Sequence, residues 1–223
     1  MTAAGPARAG RGGGRVAGRV GGLLLAAGAG TRFGEAKAAV RLPVAGDAGG
    51  QGEALAERGV RLLAGAGCAP VVVALGADAQ RVQRRTDLRP ARVVVVEDWQ
   101  EGMGASLRAG LIALQGECDA VVVALADQPL VAGEVITRLR AAWTAGASAA
   151  VAVYGGVRGT PALFDASVWS DVRASAVGDR GARAWLRANP GRVAAVECGD
   201  VAHPHDVDTP QDLQTVRTLL DGG

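Results

Sequence analysis

Of the 24 basic residues in this 223-residue chain, 23 are arginine and one is lysine, at position 37. It closes the stretch Leu23–Lys37, LLLAAGAGTRFGEAK, an apolar run followed by a glycine-rich turn. Arginine serves here wherever a general positive charge is needed, so a lone ammonium suggests a task for a compact, strongly hydrated point charge rather than a planar fork. The turn 28–34 is wide enough for its backbone N–H groups to face inward, and Arg32 and Lys37 are its counter-charges. Donors and cations around a concavity suit a triphosphate. The plainer alternative is a strand–helix turn with surface bases.

Gly28, Gly30 and Gly34 give GxGxxxG, one residue too long for the dinucleotide fingerprint, and no acid ends the second strand to hold a ribose. A P-loop is excluded as well, because Lys37 follows alanine and no Ser or Thr follows it.

Carboxylates supply the second kind of chemistry. Asp127 follows directly on the buried run DAVVVAL and precedes Gln-Pro, where it either holds Mg²⁺, commonly bound by one or two carboxylates plus substrate phosphates, or caps the helix after Pro129. We prefer the metal. Asp206 and Asp208 in DVDTP fall on the same side of an extended segment, either one a second metal contact, with Asp208 alternatively opening the last helix. A third set, Arg158-Gly159 in RGTP and Asp179, Arg180 and Arg183 in GDRGAR, has the charge to hold an anionic acceptor; ordinary surface arginines are the equal alternative. Ser106 either caps the helix after EGMG or donates to a base or sugar. His203 and His205 flank a proline without ligand spacing, and no Ser/His/Asp or Cys/His arrangement supports nucleophilic catalysis.

The elements that must position these residues are legible from periodicity. Runs at 23–27, 70–75, 92–96, 119–125, 149–154 and 193–197 read as buried strands, with a further one at 161–164. Helices are expected at 54–63, 77–85, 106–114, 134–143, 182–186 and 211–220, the last begun by Thr209 as N-cap and Pro210 at N1. Strands alternating with helices make an α/β protein with a mainly parallel sheet. Its ligands should gather beyond the carboxyl ends of the strands, so the residues after Ala27, Val96, Leu125 and Tyr154 should share one rim.

Composition narrows the classes. The first twenty residues carry four arginines and no acid, which leaves the body at −2 and without an electrostatic footprint for nucleic acid. That Gly/Ala/Arg-rich segment, 1–20, lacks an apolar period and is expected to be a disordered tail ahead of a single domain, 21–223. Cys68, Cys118 and Cys198 are odd in number and widely spaced, as buried hydrophobes of a reducing cytosol would be. Arginines before GGLLLAAGAG imitate a signal peptide, but the run continues into the loop with no mature boundary. No stretch reaches the roughly 18 apolar residues of a membrane span, and a cytoplasmic enzyme is expected.

LLLAAGAGTRFGEAK resembles the LAAGxGxRxGxxK signature of the sugar-nucleotide-type nucleotidyltransferases. VVEDWQEGMGASLRAGL, ADQPL, YGGVRGTPALF, GDRGAR and DVDTPQDL resemble the molybdenum cofactor nucleotidyltransferase-like (MobA-like) branch, the cytidylyltransferase type in particular. The resemblance spans about residues 21–221. It implies a three-layer α/β/α Rossmann-like nucleotide-diphospho-sugar transferase fold. It also implies Mg²⁺-dependent transfer of a nucleoside monophosphate, CMP first, from a nucleoside triphosphate to a phosphorylated precursor such as molybdopterin, with release of pyrophosphate. By motif position, Leu25, Ala26, Ala27, Gly28, Ala29, Gly30, Thr31, Gly34 and Ser106 would line the nucleotide. Arg32, Lys37 and Asp127 would be catalytic; Asp127, Asp206 and Asp208 would meet the metal; Arg158, Gly159, Asp179, Arg180 and Arg183 would face the acceptor. A molybdoenzyme or its maturation factors would be the further partner.

The sequence departs from the family at Thr160, where histidine is common, at His205, where an aromatic residue is, and in an insertion at 43–52. The same branch includes proteins resembling nicotine blue oxidoreductase, to which YGGVRGTPALF and VECGDVAHPHDVDTP are at least as similar. An NAD(P)H-dependent oxidoreductase is therefore the alternative, and a non-catalytic nucleotide-binding module a third.

Overall fold

A computed structural model describes residues 18–42 and 52–221. The Arg-rich segment before residue 18 and the insertion up to residue 51 lie outside the described residues.

The valine- and leucine-rich runs form one seven-stranded sheet. Its strands are β1 (Val20–Ala26), β4 (Val71–Leu75), β5 (Arg92–Val95), β6 (Ala120–Leu125), β7 (Ala149–Tyr154), β8 (Val157–Asp165) and β9 (Val193–Glu197). They lie in the order β5-β4-β1-β6-β8-β7-β9. Every neighbouring pair is parallel except those made by β8, which runs antiparallel to both β6 and β7. A separate two-stranded ribbon pairs β2 (Arg41–Leu42) with β3 (Glu53–Ala54).

The strands read as continuous apolar runs because both faces are covered. Along β1, Leu24 and Ala26 join one core, with helices α1 (Leu55–Gly65), α2 (Ala79–Arg85) and α4 (Gly133–Thr144). Leu23 and Leu25 point the other way, into a core with α3 (Met103–Ala113), α5 (Trp169–Ser175) and α6 (Arg183–Ala188). This period-two division of one run between two cores makes the protein a three-layer α/β/α sandwich. The closing helix α7 (Pro210–Asp221) packs Val216 on a small third core with Val40, Leu42, Leu55 and Val207.

Local signals explain the element ends. Thr209 caps α7 in a reciprocal box: the Asp212 N–H donates to Thr209 Oγ1 at 3.3 Å, and the Thr209 N–H donates to Asp212 Oδ2 at 2.7 Å. The turn of the β7–β8 hairpin is Gly155-Gly156, both at positive φ. Helix α5 has no counterpart among the expected elements. β8 is longer than the expected 161–164, and α3 begins three residues before Ser106.

Candidate active site

The carboxyl ends of β1, β5, β6 and β7 lie on one rim because these strands are parallel. β8 begins at that rim because it runs the other way, so Arg158, Gly159 and Thr160 join it.

The loop after β1 turns on Gly30, which has φ +59° and no room for a side chain. A Cβ there would stand 2.0 Å from the Glu35 carbonyl oxygen and 2.7 Å from the Lys37 nitrogen. The loop thus folds back so that Lys37 starts beside Gly30, and the Phe33 N–H closes the turn on the Gly30 carbonyl at 2.8 Å. An ion pair from Glu35 to Arg85 of α2 fastens its far side. The N–H groups of Gly28, Ala29, Gly30, Thr31 and Arg32 donate to no acceptor among the described residues. Such a run of free donors suits phosphate oxygens.

Lys37 reaches inward. Its ammonium donates to Asp127 Oδ2 at 2.9 Å and to Asp208 Oδ1, with only 20% of its side chain exposed. Burial disfavours its charge, but the hydrogen bonds to Asp208 and Asp127 outweigh burial and hold its pKa above the usual lysine value. Asp127 shows the opposite balance: burial raises its carboxyl above the usual range, Lys37 opposes this, and Asp206 and Asp208 add to it. One ammonium therefore leaves uncompensated negative charge around Asp127. Asp127 does not cap α4, whose N-cap is Ala132.

The two DVD carboxylates part company. Asp208 turns to Lys37, whereas Asp206 accepts from Gln128 Nε2 at 2.8 Å. The segment is fastened to the turn after β6 by the Val207 N–H donating to the Asp127 carbonyl at 2.8 Å, but residues 202–208 belong to no strand, so no pleat keeps the two side chains on one side.

Two adjoining cavities share Leu25, Met103 and Leu125 in their walls. The smaller, about 320 Å³, is lined by Ala27, Gly28, Ser106 and Asp127, and by Trp99 and Asp179. Ser106 sits in the second turn of α3, so it faces this cavity rather than capping the helix, whose N-cap is Gly102. The larger, about 520 Å³, is lined by Arg158, Gly159, Arg180, Arg183 and Asp206. Asp179, grouped by sequence with these arginines, stands instead on the smaller cavity, because Gly102 packs so closely on it that a Cβ would lie 2.4 Å from Asp179 Oδ1. Arg32 is exposed on the loop, outside the lining of both cavities. Ala26 is in the core; Ala29, Thr31 and Gly34 belong to the loop but line neither cavity.

Gln128 was not singled out in the sequence, yet it is 8% exposed and central. Its amide oxygen accepts from the Thr160 hydroxyl and its nitrogen holds Asp206, so it ties β8 to the DVD segment. The only signal was a polar side chain directly after a buried strand. Arg187 also lines the larger cavity.

The MobA-like NTP transferase domain matches residues 22–194, from the first strand to the start of the last. The chain belongs to that family. It is 37% identical over 199 residues to nicotine blue oxidoreductase of Paenarthrobacter nicotinovorans, covering 86% of this chain and 93% of that protein. Rv0371c of Mycobacterium tuberculosis H37Rv is 28% identical, with a TM-score of 0.75 over 92% of this chain and 100% of that one; its complex with manganese gives 0.68 over the same shares. A nucleotidyl transferase of Methanothermobacter thermautotrophicus, 20% identical, shares the fold with a TM-score of 0.73 over 92% of this chain and 98% of its own. The expected MobA-like family and its Rossmann-like α/β fold are thus both found. Among the described residues no helix is long and apolar enough to cross a membrane.

Proposed function

We propose that the protein is a metal-dependent nucleotidyltransferase that moves a nucleoside monophosphate from a nucleoside triphosphate to a small anionic acceptor and releases pyrophosphate. The observation that carries this reading is the Lys37 ammonium, shared by Asp127 and Asp208 at the end of a loop of free N–H donors beside two adjoining cavities. The family's NTP transferase domain supports it. CMP and molybdopterin are the nucleotide and acceptor that the sequence resemblance implies.

Asp127 and Asp208 offer hard oxygen donors, and each has one carboxylate oxygen that takes no hydrogen bond from the described residues. No group of three or more His, Cys, Asp or Glu among the described residues forms a metal cage of its own. That donor set fits Mg²⁺, which keeps positions open for substrate phosphates, and Rv0371c is known in complex with manganese. When bound, the ion supplies positive charge against the phosphate oxygens.

The chain's own residues do the rest. Loop N–H groups hold the triphosphate, Lys37 places its charge where negative charge develops on the α-phosphate and the leaving pyrophosphate, and the wall shared by the two cavities lines up the acceptor. An acceptor phosphate oxygen bonds to the α-phosphorus as the bond to the bridging oxygen breaks, and pyrophosphate departs with that electron pair.

The second reading, reduction by NAD(P)H, is favoured by the 37% identity to nicotine blue oxidoreductase. Titration with CTP, GTP, ATP and NADPH, with and without Mg²⁺, separates them. Mg²⁺-dependent triphosphate binding with pyrophosphate release supports transfer; tight NADPH binding without metal dependence would replace it with reduction.

A further inference from the structure

Arginine pairing across the molecule is uneven. Arg58, Arg61, Arg85, Arg92, Arg108 and Arg138 each hold a carboxylate. The guanidinium groups of Arg158, Arg180, Arg183 and Arg187 have no hydrogen bond or ion pair among the described residues, and all four residues are exposed and line the 520 Å³ cavity. Asp206 is the one acid among the lining residues. Four unmatched guanidiniums around one opening call for an anion.

The floor is of another kind. It is built from Leu107 of α3, Leu186 of α6 and the inner faces of three strands through Val123, Val151, Ala162 and Phe164, all buried. The uncharged polar side chains of the wall already have partners within the protein. The Tyr154 hydroxyl donates to the Thr160 carbonyl at 2.8 Å, the Thr160 hydroxyl donates to Gln128, and Gln128 donates to Asp206. A polyhydroxylated ligand would lose water on this floor without finding partners, whereas a carbon-rich body loses nothing and gains burial. The volume is that of a cavity for a whole small molecule rather than a bare ion.

We infer that the ligand of this cavity is a molecule with a mainly hydrocarbon body, ring-sized or larger, carrying an anionic group that meets Arg158, Arg180, Arg183 and Arg187, and not a sugar phosphate. Its role as acceptor rests on the transferase reading; its chemical class rests on the cavity alone.

Equilibrium binding to the full chain tests the class with four probes: 1-naphthyl phosphate, 1-naphthol, glucose 1-phosphate and inorganic phosphate. 1-Naphthyl phosphate should bind at least tenfold more tightly than each of the others. Tenfold is about 1.4 kcal/mol, within what burial of one aromatic ring supplies. The double variant R183A/R187A should weaken 1-naphthyl phosphate severalfold and leave 1-naphthol unchanged. Leu186→Gln should weaken both naphthyl probes, and the half-buried Met103→Gln reads the same surface should L186Q fail to fold. Glucose 1-phosphate or inorganic phosphate binding as tightly as 1-naphthyl phosphate overturns the inference, as does indifference to these substitutions. Pyrophosphate release with the same acceptors keeps the two readings apart. Turnover with glucose 1-phosphate but not 1-naphthyl phosphate sinks the ligand class and leaves the transferase. Selective 1-naphthyl phosphate binding with no triphosphate turnover on any acceptor sinks the transferase and leaves the ligand class.

Discussion

Gln128 holds Asp206 through its amide nitrogen at 2.8 Å while its amide oxygen takes the Thr160 hydroxyl, so one buried side chain joins segments 78 and 32 residues away. Gln128→Ala removes both hydrogen bonds, but Asp206 is exposed and Thr160 half-buried, so water can replace the lost partner and the cost is on the order of 1 kcal/mol per bond. We expect a lower melting temperature and an acceptor KM raised about tenfold with the triphosphate KM unchanged. Equal changes in both KM values would mean that Gln128 serves the whole rim and not the acceptor side.

Lys37 sits between two carboxylates, a geometry that a guanidinium fork fills poorly. Lys37→Ala should lower turnover by about two to three powers of ten, the scale of losing one preorganised contact to developing charge. Lys37→Arg should lose at least tenfold. Pyrophosphate release is the readout, and full activity in Lys37→Arg would return this residue to an ordinary surface base.

The division of the carboxylates predicts a division of phenotypes. Asp127→Asn and Asp208→Asn should weaken Mn²⁺ binding in the presence of triphosphate, measured by calorimetry, by tenfold or more. Asp206→Asn should leave metal affinity within about twofold, because its carboxylate is held by Gln128 on the side of the larger cavity.

Gly30→Ala forces a Cβ into the space 2.0 Å from the Glu35 carbonyl at a backbone conformation that alanine rarely adopts. The strain is about 1–3 kcal/mol, and the loop must open to relieve it. Triphosphate affinity should fall with it, whereas Gly28→Ala, with no atom in the way, should be tolerated by the fold.

Cys68 is 3% exposed, and burial pushes its thiol from 9.0 up to about 11. The folded state therefore holds this proton more tightly than the unfolded chain. The resulting stability is complete below pH 9 and is lost as the pH rises through about 11, on the order of 3 kcal/mol in all. Urea midpoints between pH 8 and 11 should show this decline, and Cys68→Ala should reduce its slope, the remainder coming from Cys118, Cys198 and Tyr154, whose pKa values burial also raises. At pH 8 only about one thiol in a thousand is ionised, so labelling of Cys68 in the folded protein should be slow, and the half-buried Cys118 should react before it.

The parallel sheet, the rim and the place of Lys37 at the end of the glycine loop were legible in the sequence because they rest on local patterns: apolar runs, a glycine loop, one lysine among arginines. The roles of Gln128 and Asp179 were not, since each depends on a contact between distant segments that no spacing encodes. The division of Asp206 and Asp208 between Gln128 and Lys37 was not legible for a related reason. Their alternation would place them together only within a ladder, and residues 202–208 form none. Helix α5 was not read from WSDVRAS, whose buried flank is a single i, i+3 step from Trp169 to Val172.

The reversal of β8 has an evolutionary consequence. It brings the Val157–Thr160 end of a hairpin to a rim otherwise supplied by parallel strand ends, and the hairpin's turn is a pair of exposed glycines. On the proposed reading, triphosphate chemistry and ligand choice are thereby carried on separately replaceable parts. A gene could acquire a new partner molecule by redrafting one surface hairpin and the neighbouring arginines of α6, with no edit to the phosphate loop. Lineages that kept this scaffold while changing the reaction would then differ first in those few codons.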